Sequence, residues 1–295
     1  MQEVEELMKR FVADLGGGEI AGYLDRVPAG KRLRTKLICQ IAPQHPDRFL
    51  LSAVVEMIHL ASLLHDDVID DAATRRGVPS IHATEGSKTA IMLGDIFYSK
   101  AYTELVALGA PIARMVADAV TRLSLGELLD VRLGESFNTD RAAYEEMIDL
   151  KTAALIEAAC GAAALLAGKD AQSYQTFGKK LGIAFQVIDD LLDITQDAAT
   201  LGKPALNDLS EGKVTLPMMA LYARGDEADR QKLLTLFKKP VSPQDADWLR
   251  SRMAATGALD ESREYAMKLA NEAKIAVGAD AALSSVADSL TQRIR

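Results

Sequence analysis

Aromatic residues and cysteines are scarce in this sequence. Only 5% of the 295 residues are aromatic, and β-branched residues seldom alternate with polar ones, which argues against a fold built mainly from strands. The two cysteines, Cys39 and Cys160, lie in apolar helical segments. We expect them to pack as small hydrophobic side chains rather than to form a disulfide bond.

The sequence also has no net positive charge and no long apolar run, and its opening does not resemble a leader segment. The net charge is −8, which argues against a nucleic-acid partner because such proteins usually present a basic surface. The opening MQEVEELMKRF is amphipathic and acidic, unlike a secretion signal. No uninterrupted apolar stretch reaches the roughly 18 residues of a membrane span. We therefore expect a cytoplasmic protein without a transmembrane segment.

What is present is a helical pattern over almost the whole chain. Prolines fall at the breaks between apolar-periodic segments of helical length. The predicted helices cover residues 2–15, 32–42, 47–72, 86–107, 110–135, 140–167, 170–197, 214–224, 227–238, 243–254, 258–277 and 280–293. The longest predicted loops are 16–31, 73–85 and 198–213, a length at which loops are usually functional or disordered. Without a repeat or a linker, residues 1–295 are predicted to form one all-α domain.

Aspartates are concentrated in two groups of the same spacing. The first aspartate cluster, in LLHDDVIDDAATRRG, consists of Asp66, Asp67, Asp70 and Asp71. The second aspartate cluster, in FQVIDDLLD, consists of Asp189, Asp190 and Asp193. On a helix, the DDxxD positions fall within an arc of about 100°, so three carboxylates share one face. Crowded carboxylates need a cation, and magnesium binds through carboxylates and substrate phosphates. A single cluster fits a solvated acidic face equally well, but two at the ends of apolar helices favour a metal–polyphosphate site.

Basic residues stand beside both clusters although the chain is acidic overall. These residues are Lys31, Arg32 and Arg34 in PAGKRLR, Arg75 and Arg76 after the first cluster, and Lys203 and Lys213 after the second. Guanidinium groups bind phosphate in a bidentate manner, and a helix N-terminus attracts anions. Each residue alone is as well explained as a solvated charge. Their common placement predicts diphosphate binding.

Through these residues, the segment from Gly30 to Pro217 resembles the trans-isoprenyl diphosphate synthases. HDDVIDDAATRRG and GIAFQVIDDLLD are similar to the two aspartate-rich motifs of that family, and GKRLR is similar to its isopentenyl diphosphate site. LKTAALIEAACG is similar to the segment that supplies a lysine and a threonine. The sequence departs from the family at Thr35, where relatives often have proline, and in GVPSIHATEGSKTA, where they often have a glycine–asparagine pair.

The resemblance implies a set of site residues and a cofactor. The implied ligands of three Mg²⁺ ions are Asp66, Asp67, Asp70, Asp189 and Asp193. The implied ligands of isopentenyl diphosphate are Lys31, Arg34, His59 and Arg76. The implied ligands of the allylic diphosphate are Arg75, Lys151, Thr152, Gln186, Lys203 and Lys213. The implied catalytic residues are Asp66, Asp67, Asp70, Asp189, Asp190, Lys151 and Lys203.

The resemblance also implies a fold and a reaction. The fold is an all-α bundle of the isoprenoid synthase type, with both aspartate motifs at the mouth of a central cavity, in a homodimer. Arg75, Lys151, Lys203 and the metals neutralise the departing pyrophosphate. The double bond of isopentenyl diphosphate attacks the allylic cation, and pyrophosphate takes the proton. No side-chain nucleophile is needed, and none is expected from a Ser-His-Asp or Cys-His arrangement. Release of a long product implies transient membrane contact.

Product length is predicted from the residues one turn before the first cluster. Short-chain members of the family tend to carry an aromatic residue at the fourth or fifth position before the first aspartate, or an insertion in the motif. Those positions are the small Ser62 and Ala61, with Ile58 one turn deeper, and DDVID has no insertion. Small residues also suit helix packing. We favour an open tunnel with a floor near 91–97 and a heptaprenyl to octaprenyl product; the alternative is a geranylgeranyl or farnesyl diphosphate synthase.

Three rival functions remain open at this stage. A terpene cyclase shares the bundle and one DDxxD, but it needs neither GKRLR nor a repeated DDxxD. A di-iron bundle would use Glu56 and His59, which have the required i, i+3 spacing, but it needs a second such pair. A non-catalytic partner subunit usually loses acidic residues of the motifs, and both clusters are complete here.

Overall fold

The computed structural model describes residues 1–15, 18–28, 30–196, 206–278 and 280–294. The chain forms two compact units. Unit 1 contains Met1–Val120 and Glu157–Gln175, and unit 2 contains Thr121–Ile156 and Thr176–Arg295. The single domain expected over residues 1–295 stays a prediction.

Helices make up most of the described residues, which confirms the all-α class. They are α1 Gln2–Ala13, α2 Gly18–Arg26, α3 Leu33–Ile41, α4 Arg48–Ile69, α5 Ile81–Glu85, α6 Ser87–Leu105, α7 Ala110–Leu133, α8 Arg141–Ile148, α9 Ala154–Leu166, α10 Ala171–Thr195, α11 Asn207–Ser210, α12 Leu216–Arg224, α13 Glu227–Leu236, α14 Pro243–Ala255, α15 Ala258–Val277 and α16 Ala281–Thr291. Short 3₁₀ turns at Val106–Leu108 and Gln292–Ile294 follow α6 and α16.

Two of the predicted loops contain regular structure. Helix α2 lies inside the predicted loop 16–31. The loop was predicted because this segment is rich in glycine, yet α2 has an acidic residue in its first turn and a basic residue in its last turn, which favours a helix. In the predicted loop 73–85, strand β1 (Thr74–Arg75) pairs antiparallel with β2 (Val78–Pro79), and α5 follows. Arg76 and Gly77 both have positive φ, 53° and 79°, as a tight two-residue hairpin turn requires.

Helix α4 forms the core of unit 1. Its side chains are buried along most of its length, and it packs against α1, α3 and α6. The contact with α6 is close because Gly94 has no side chain: a Cβ there would stand 2.2 Å from Nε2 of His65. This packing fixes the helix end that carries the first aspartate cluster.

The same helix is the one candidate for a membrane span among the described residues. Over an 18-residue window its mean hydropathy is 1.4, and by length and composition it is able to cross a bilayer. However, 67% of that window is buried inside the protein. A buried core helix passes the same test, so this finding is weak evidence for a membrane span.

In unit 2, a π-helical turn at Asp149–Ala153 separates α8 from α9. The sequence had predicted one continuous helix over 140–167. Two glycines allow the turn to sit close to its neighbours: a Cβ on Gly126 would lie 2.3 Å from the backbone nitrogen of Lys151, and one on Gly182 would lie 2.7 Å from Cα of Ala153. Such π turns are frequent at functional sites, and this one carries Lys151 and Thr152.

Both cysteines are free, as expected. Cys39 is partly exposed and Cys160 is buried. Burial raises the pKa of the Cys160 thiol, so it packs as an inert apolar side chain.

Candidate active site

The first aspartate cluster lies where α4 ends. Asp66 and Asp67 are in the last turn, and Asp70 is the C-cap. Asp67 is only 3% exposed and accepts a hydrogen bond from Nε of Arg75 at 2.6 Å. Burial raises the pKa of Asp67, opposed by the charge and hydrogen bond of Arg75 and reinforced by the charge of Asp70. The hairpin after α4 therefore brings one predicted diphosphate ligand, Arg75, into contact with the acidic cluster.

An aspartate, a histidine and a serine lie in line beside this cluster, although no such arrangement was visible in the sequence. The ring of His82 joins Oδ1 of Asp71 at 2.8 Å to Oγ of Ser87 at 3.3 Å, so an aspartate–histidine–serine chain does exist. The Asp71 side chain is 94% exposed, whereas the carboxylate of a hydrolytic triad is buried. We assign these contacts to holding α5 and the start of α6 against the first aspartate cluster.

A cationic cluster surrounds His59 in unit 1. The pKa of His59 is lowered well below its usual value, first by burial and then by the charges of Arg34, Arg76, Arg75 and Arg32. The imidazole is therefore neutral at pH 7 and able to donate one hydrogen bond. The structure thus brings together three of the four residues predicted to bind isopentenyl diphosphate, and Lys31 is exposed nearby in the chain.

The charge of Glu56 acts on both Arg34 and Arg76, but the structure shows no ion pair of either arginine with a carboxylate among the described residues. Nε of Arg34 is buried and has no hydrogen-bond partner within the described structure, and burial lowers its pKa. Arg76 donates to the carbonyl of Pro28 at 2.7 Å. Its guanidinium occupies the space that a Cβ on Gly30 would take, 2.6 Å away. A buried guanidinium needs an anionic partner, so this arrangement suits a diphosphate.

Sequence reasoning missed the residue that anchors this cluster. Glu56 is 5% exposed; it accepts hydrogen bonds from Arg32 at 2.9 Å and from Oγ1 of Thr35 at 2.7 Å. Arg32 stands before α3 with φ 51°, a strained conformation for a non-glycine residue. Glu56 was considered only as a di-iron ligand, although a lone acid in an apolar run signals a buried ion pair. Thr35, the departure from the family pattern, is part of this contact.

The second aspartate cluster lies in the last turns of α10. Asp190 is buried and accepts from the Tyr144 hydroxyl at 2.5 Å and from Nε2 of Gln186 at 2.8 Å. Burial raises its pKa to about 7; the two hydrogen bonds oppose the rise, and the charges of Asp189 and Asp193 add to it. Both Asp190 oxygens accept hydrogen bonds from inside the protein, which fits its absence from the predicted metal ligands; its predicted catalytic role stays a prediction.

Tyr144 was not predicted from the sequence. It is fully enclosed on α8, and burial raises its pKa well above the usual value, so it donates rather than ionises. Thr152 in turn donates to Oε1 of Gln186 at 2.8 Å. A continuous chain of hydrogen bonds therefore joins the π turn to the second cluster. The only available signal was the tyrosine at an apolar-periodic position of α8.

Lys151 projects from the π turn between two acids of α7. Its Nζ lies 2.7 Å from Oε2 of Glu127 and 2.6 Å from Oδ2 of Asp130. Both acids are about 8% exposed, so their charges need this ammonium. Neither acid was singled out from the sequence, because acids at i, i+3 also describe an ordinary solvated helix face.

A cavity of about 150 Å³ in unit 2 brings these groups together. Its lining includes four predicted ligands of the allylic diphosphate, Lys151, Thr152, Gln186 and Lys213, together with Asp130, Tyr144, Asp190 and Asp208. Lys213 pairs with Glu211 at 2.7 Å. Lys203, the remaining lysine of that group, lies outside the described residues, as do residues 198–205 of the predicted loop.

The aspartate side chains fit magnesium by their chemistry, although they are not gathered into a ready-made site. Among the described residues, no group of three or more His, Cys, Asp or Glu side chains is arranged to hold a metal ion. The donors are all hard carboxylate oxygens. Burial is the main cause that raises the pKa of Asp190, and the charges of Asp189 and Asp193 add to the rise. Asp67 and Asp189 are held by arginines instead, so metal binding requires an exchange of partners.

The predicted chain-length residues are all in the core. Ile58 and Ala61 are 0% exposed and Ser62 is 5% exposed; its Oγ donates to the carbonyl of His59. Phe97 is buried, but Ile91, at the other end of the predicted floor, is 40% exposed. The position of a tunnel stays a prediction.

Helices that carry acidic clusters beside buried guanidinium, ammonium and amide groups define a class of enzyme that processes diphosphates with the help of divalent cations. A family model described as "Polyprenyl synthetase" matches residues 20–253, and the chain belongs to this family. The solved octaprenyl pyrophosphate synthase from Helicobacter pylori is similar, with a TM-score of 0.93 and 39% identity over 98% of this chain and 97% of that one. The predicted isoprenoid synthase fold is confirmed.

Curated relatives agree with that class. Octaprenyl diphosphate synthase of Escherichia coli is 32% identical over 85% of this chain and 80% of its own length. A short chain isoprenyl diphosphate synthase of Methanothermobacter thermautotrophicus is 35% identical over 70% of this chain and 68% of its own length. The predicted transferase of prenyl groups is confirmed, and long-chain synthases among the relatives agree with the predicted long product.

Proposed function

We propose that this chain adds isopentenyl diphosphate to an allylic diphosphate in successive trans condensations and releases a heptaprenyl or octaprenyl diphosphate. The observation that carries the proposal is the cationic cluster around His59, in which Nε of Arg34 is buried without a hydrogen-bond partner among the described residues. A neutral imidazole among arginines binds an anion without adding a proton to it. Lys31, Arg34, His59 and Arg76 bind the diphosphate of isopentenyl diphosphate.

The second substrate is bound by a different set of groups. Lys151, Thr152, Gln186 and Lys213 line the unit 2 cavity, and with Arg75 and Lys203 they bind the allylic diphosphate. Glu127 and Asp130 hold the Lys151 ammonium in place, and they keep it from collapsing onto other acids before substrate arrives. The cations stabilise the charge that develops on the departing pyrophosphate.

Asp66, Asp67, Asp70, Asp189 and Asp193 would hold Mg²⁺, a cofactor that this family uses in general. We propose three ions per site. When bound, magnesium supplies neutralisation of the leaving diphosphate. Apolar walls shield the allylic cation from water. The proton lost after the addition goes to pyrophosphate, so the chain needs no general base of its own.

A second candidate is a shorter product, geranylgeranyl or farnesyl diphosphate. It is favoured by the similarity to a short chain isoprenyl diphosphate synthase. We prefer the longer product because the residues before the first aspartate cluster, Ala61 and Ser62, are small. We also propose that the enzyme works in the cytoplasm as a homodimer and delivers its product by transient contact with a membrane.

The proposal is tested by incubating the full chain with labelled isopentenyl diphosphate, Mg²⁺ and geranyl, farnesyl or geranylgeranyl diphosphate. Chromatography of the dephosphorylated products should show heptaprenyl or octaprenyl alcohol. Accumulation of a four-unit or three-unit product would favour the second candidate. Absence of any elongation with all three primers would overturn both.

Removal of a metal ligand provides the first specific prediction. Asp66→Ala and Asp189→Ala should each lower turnover by orders of magnitude while the circular dichroism spectrum stays unchanged, because each removes a magnesium ligand. Asp247→Ala, which removes an exposed acid of α14, is the matched control. Near-normal turnover in either cluster variant would contradict the shared-metal arrangement.

A further inference from the structure

Asp189 of the second aspartate cluster is held by a residue far along the chain. Nη2 of Arg293 donates to its Oδ1 at 2.9 Å. Arg293 belongs to the 3₁₀ turn Gln292–Ile294 after α16, and its guanidinium also lies 5.9 Å from the ring centre of Phe185, one turn earlier on α10. Both Arg293 and Asp189 belong to unit 2.

The three acids of the second cluster are engaged in different ways. Asp190 is buried between Tyr144 and Gln186, and Asp193 is buried with its Oδ2 near the backbone nitrogen of Asp208. The Asp189 and Arg293 side chains are 35% and 28% exposed. Among the contacts described above for this cluster within residues 1–15, 18–28, 30–196, 206–278 and 280–294, the one with Arg293 is therefore the most open to water.

We propose that Arg293 is an exchangeable counterion of the second aspartate cluster: it holds Asp189 while no metal is bound, and it releases Asp189 when a divalent cation binds. This inference rests on the proposed function, because it takes Asp189 as a magnesium ligand. Arg293 acts through Asp189 and is a positioning residue.

The physical reason is a competition for one carboxylate. Asp189, Asp190 and Asp193 place three carboxylates in the last turns of one helix, so a cation beside Asp189 offsets their mutual repulsion. An exposed arginine pair is a weak interaction. A divalent cation carries twice the charge and approaches a carboxylate oxygen to about 2.0–2.1 Å, closer than the guanidinium, so it replaces Arg293 rather than joining it.

The position of Arg293 is fixed by packing rather than by this pair alone. Leu283, Ala287 and Leu290 bury one face of α16, and Lys274 of α15 binds Asp288 at 2.8 Å. The 3₁₀ turn therefore stays near α10 after the guanidinium leaves, and Arg293 returns to Asp189 when the metal dissociates. Metal binding therefore requires a movement of the Arg293 side chain and no refolding of the backbone.

The test measures Mn²⁺ binding to the full chain by the loss of the free-ion electron paramagnetic resonance signal, since Mn²⁺ prefers the same oxygen ligands. The variants are Arg293→Gln, Arg293→Lys, Asp189→Asn and, as the matched loss of one positive charge, Arg263→Gln. Arg263 pairs with Asp260 at 2.8 Å on the exposed side of the same unit.

We expect Arg293→Gln to bind Mn²⁺ about two- to fivefold more tightly than the wild type, the range for loss of one exposed competing ion pair. Arg293→Lys should bind like the wild type, and so should Arg263→Gln. The unfolding temperature of Arg293→Gln should be lower in chelator but rise more on adding Mn²⁺. A purely structural role would lower both the affinity and the metal-induced rise.

The outcomes separate this inference from the proposed function. If Asp189→Asn weakens Mn²⁺ binding but Arg293→Gln binds no more tightly than Arg263→Gln, Arg293 does not compete with metal and the inference is overturned. If the wild type binds no Mn²⁺, or if Asp189→Asn binds it equally well, Asp189 is not a metal ligand and both proposals fall.

Discussion

At the scale of single residues, the structure shows contacts of several motif residues that the sequence did not predict. Asp190 is enclosed by Tyr144 and Gln186 rather than presented to a metal. Glu56, which the sequence offered only as a weak metal ligand, anchors Arg32 and Thr35. In both cases a buried carboxylate accepts hydrogen bonds from donors inside the protein, because an unpaired buried charge is strongly unfavourable.

His59 leads to a prediction about pH. Because its pKa is lowered in the folded protein, the unfolded chain takes up a proton near pH 6.5 that the folded chain does not. Stability is therefore fully present above about pH 6.5 and falls as the pH decreases below it, by at most about 1.4 kcal/mol per pH unit. Urea unfolding at pH 7.5 and 5.5 measures the effect.

His59→Gln should remove this part of the pH dependence, and His45→Gln, at a more exposed position, should leave it in place. An unchanged pH dependence in His59→Gln would mean that folding does not lower the pKa of His59. It would also weaken the assignment of a neutral donor to the anion site.

Ala61 and Ser62 test the predicted product length. If the growing chain passes these residues, Ala61→Tyr and Ser62→Phe should shorten the main product, as chromatography of the dephosphorylated alcohols would show. Both positions are buried, so overpacking should also cost about 1–3 kcal/mol of stability. Products of unchanged length from both folded variants would place the tunnel elsewhere.

At the scale of elements, the π turn Asp149–Ala153 decides where Lys151 and Thr152 point. A glycine on each side makes room for it, Gly126 on α7 and Gly182 on α10. One added residue per turn is invisible to a periodicity analysis that assumes a regular helix, and so the sequence predicted a single helix over 140–167.

Gly126→Ala should therefore impair both catalysis and stability. The added methyl would meet the backbone of Lys151 and displace its ammonium, so we expect a loss of about 1–3 kcal/mol in stability and at least a tenfold fall in kcat, equivalent to about 1.4 kcal/mol in the barrier. Chemical denaturation and steady-state kinetics measure the two effects.

Gly22→Ala is the matched control for this substitution. Gly22 is also helical, but a Cβ there meets nothing within 4 Å, so the change should stabilise the protein by about 0.4–1 kcal/mol and leave kcat unchanged. Wild-type kcat in a folded Gly126→Ala variant would show that the close approach at the π turn does not position Lys151.

At the scale of the whole molecule, exposed apolar side chains point to a second copy of the chain. Leu125, Leu128 and Val131 follow one another at three-residue intervals on α7 and are 53%, 48% and 46% exposed. On α6, Met92 is 55% exposed. Apolar stripes of this kind mark interaction surfaces, and the family resemblance implies a homodimer.

Light scattering at micromolar concentration should give the mass of a dimer. Leu128→Asp should give a monomer, because it places a charge in the apolar stripe, whereas Leu234→Asp, at a 41% exposed site of α13, should remain dimeric. A monomeric wild type, or a dimeric Leu128→Asp variant, would contradict the assignment of α7 to the interface.

The sequence by itself determined the helical class and the positions of the two aspartate clusters and of the basic residues beside them, because each depends on local spacing. Apolar periodicity sets helices, and DDxxD places carboxylates on one face wherever that helix lies. Only the tertiary structure decided which residues pair with each of these charged side chains. Arg293 reaches Asp189 across 104 positions of the chain, and Tyr144 reaches Asp190 across 46. Contacts between distant segments depend on how the helices pack, and local spacing carries no record of packing.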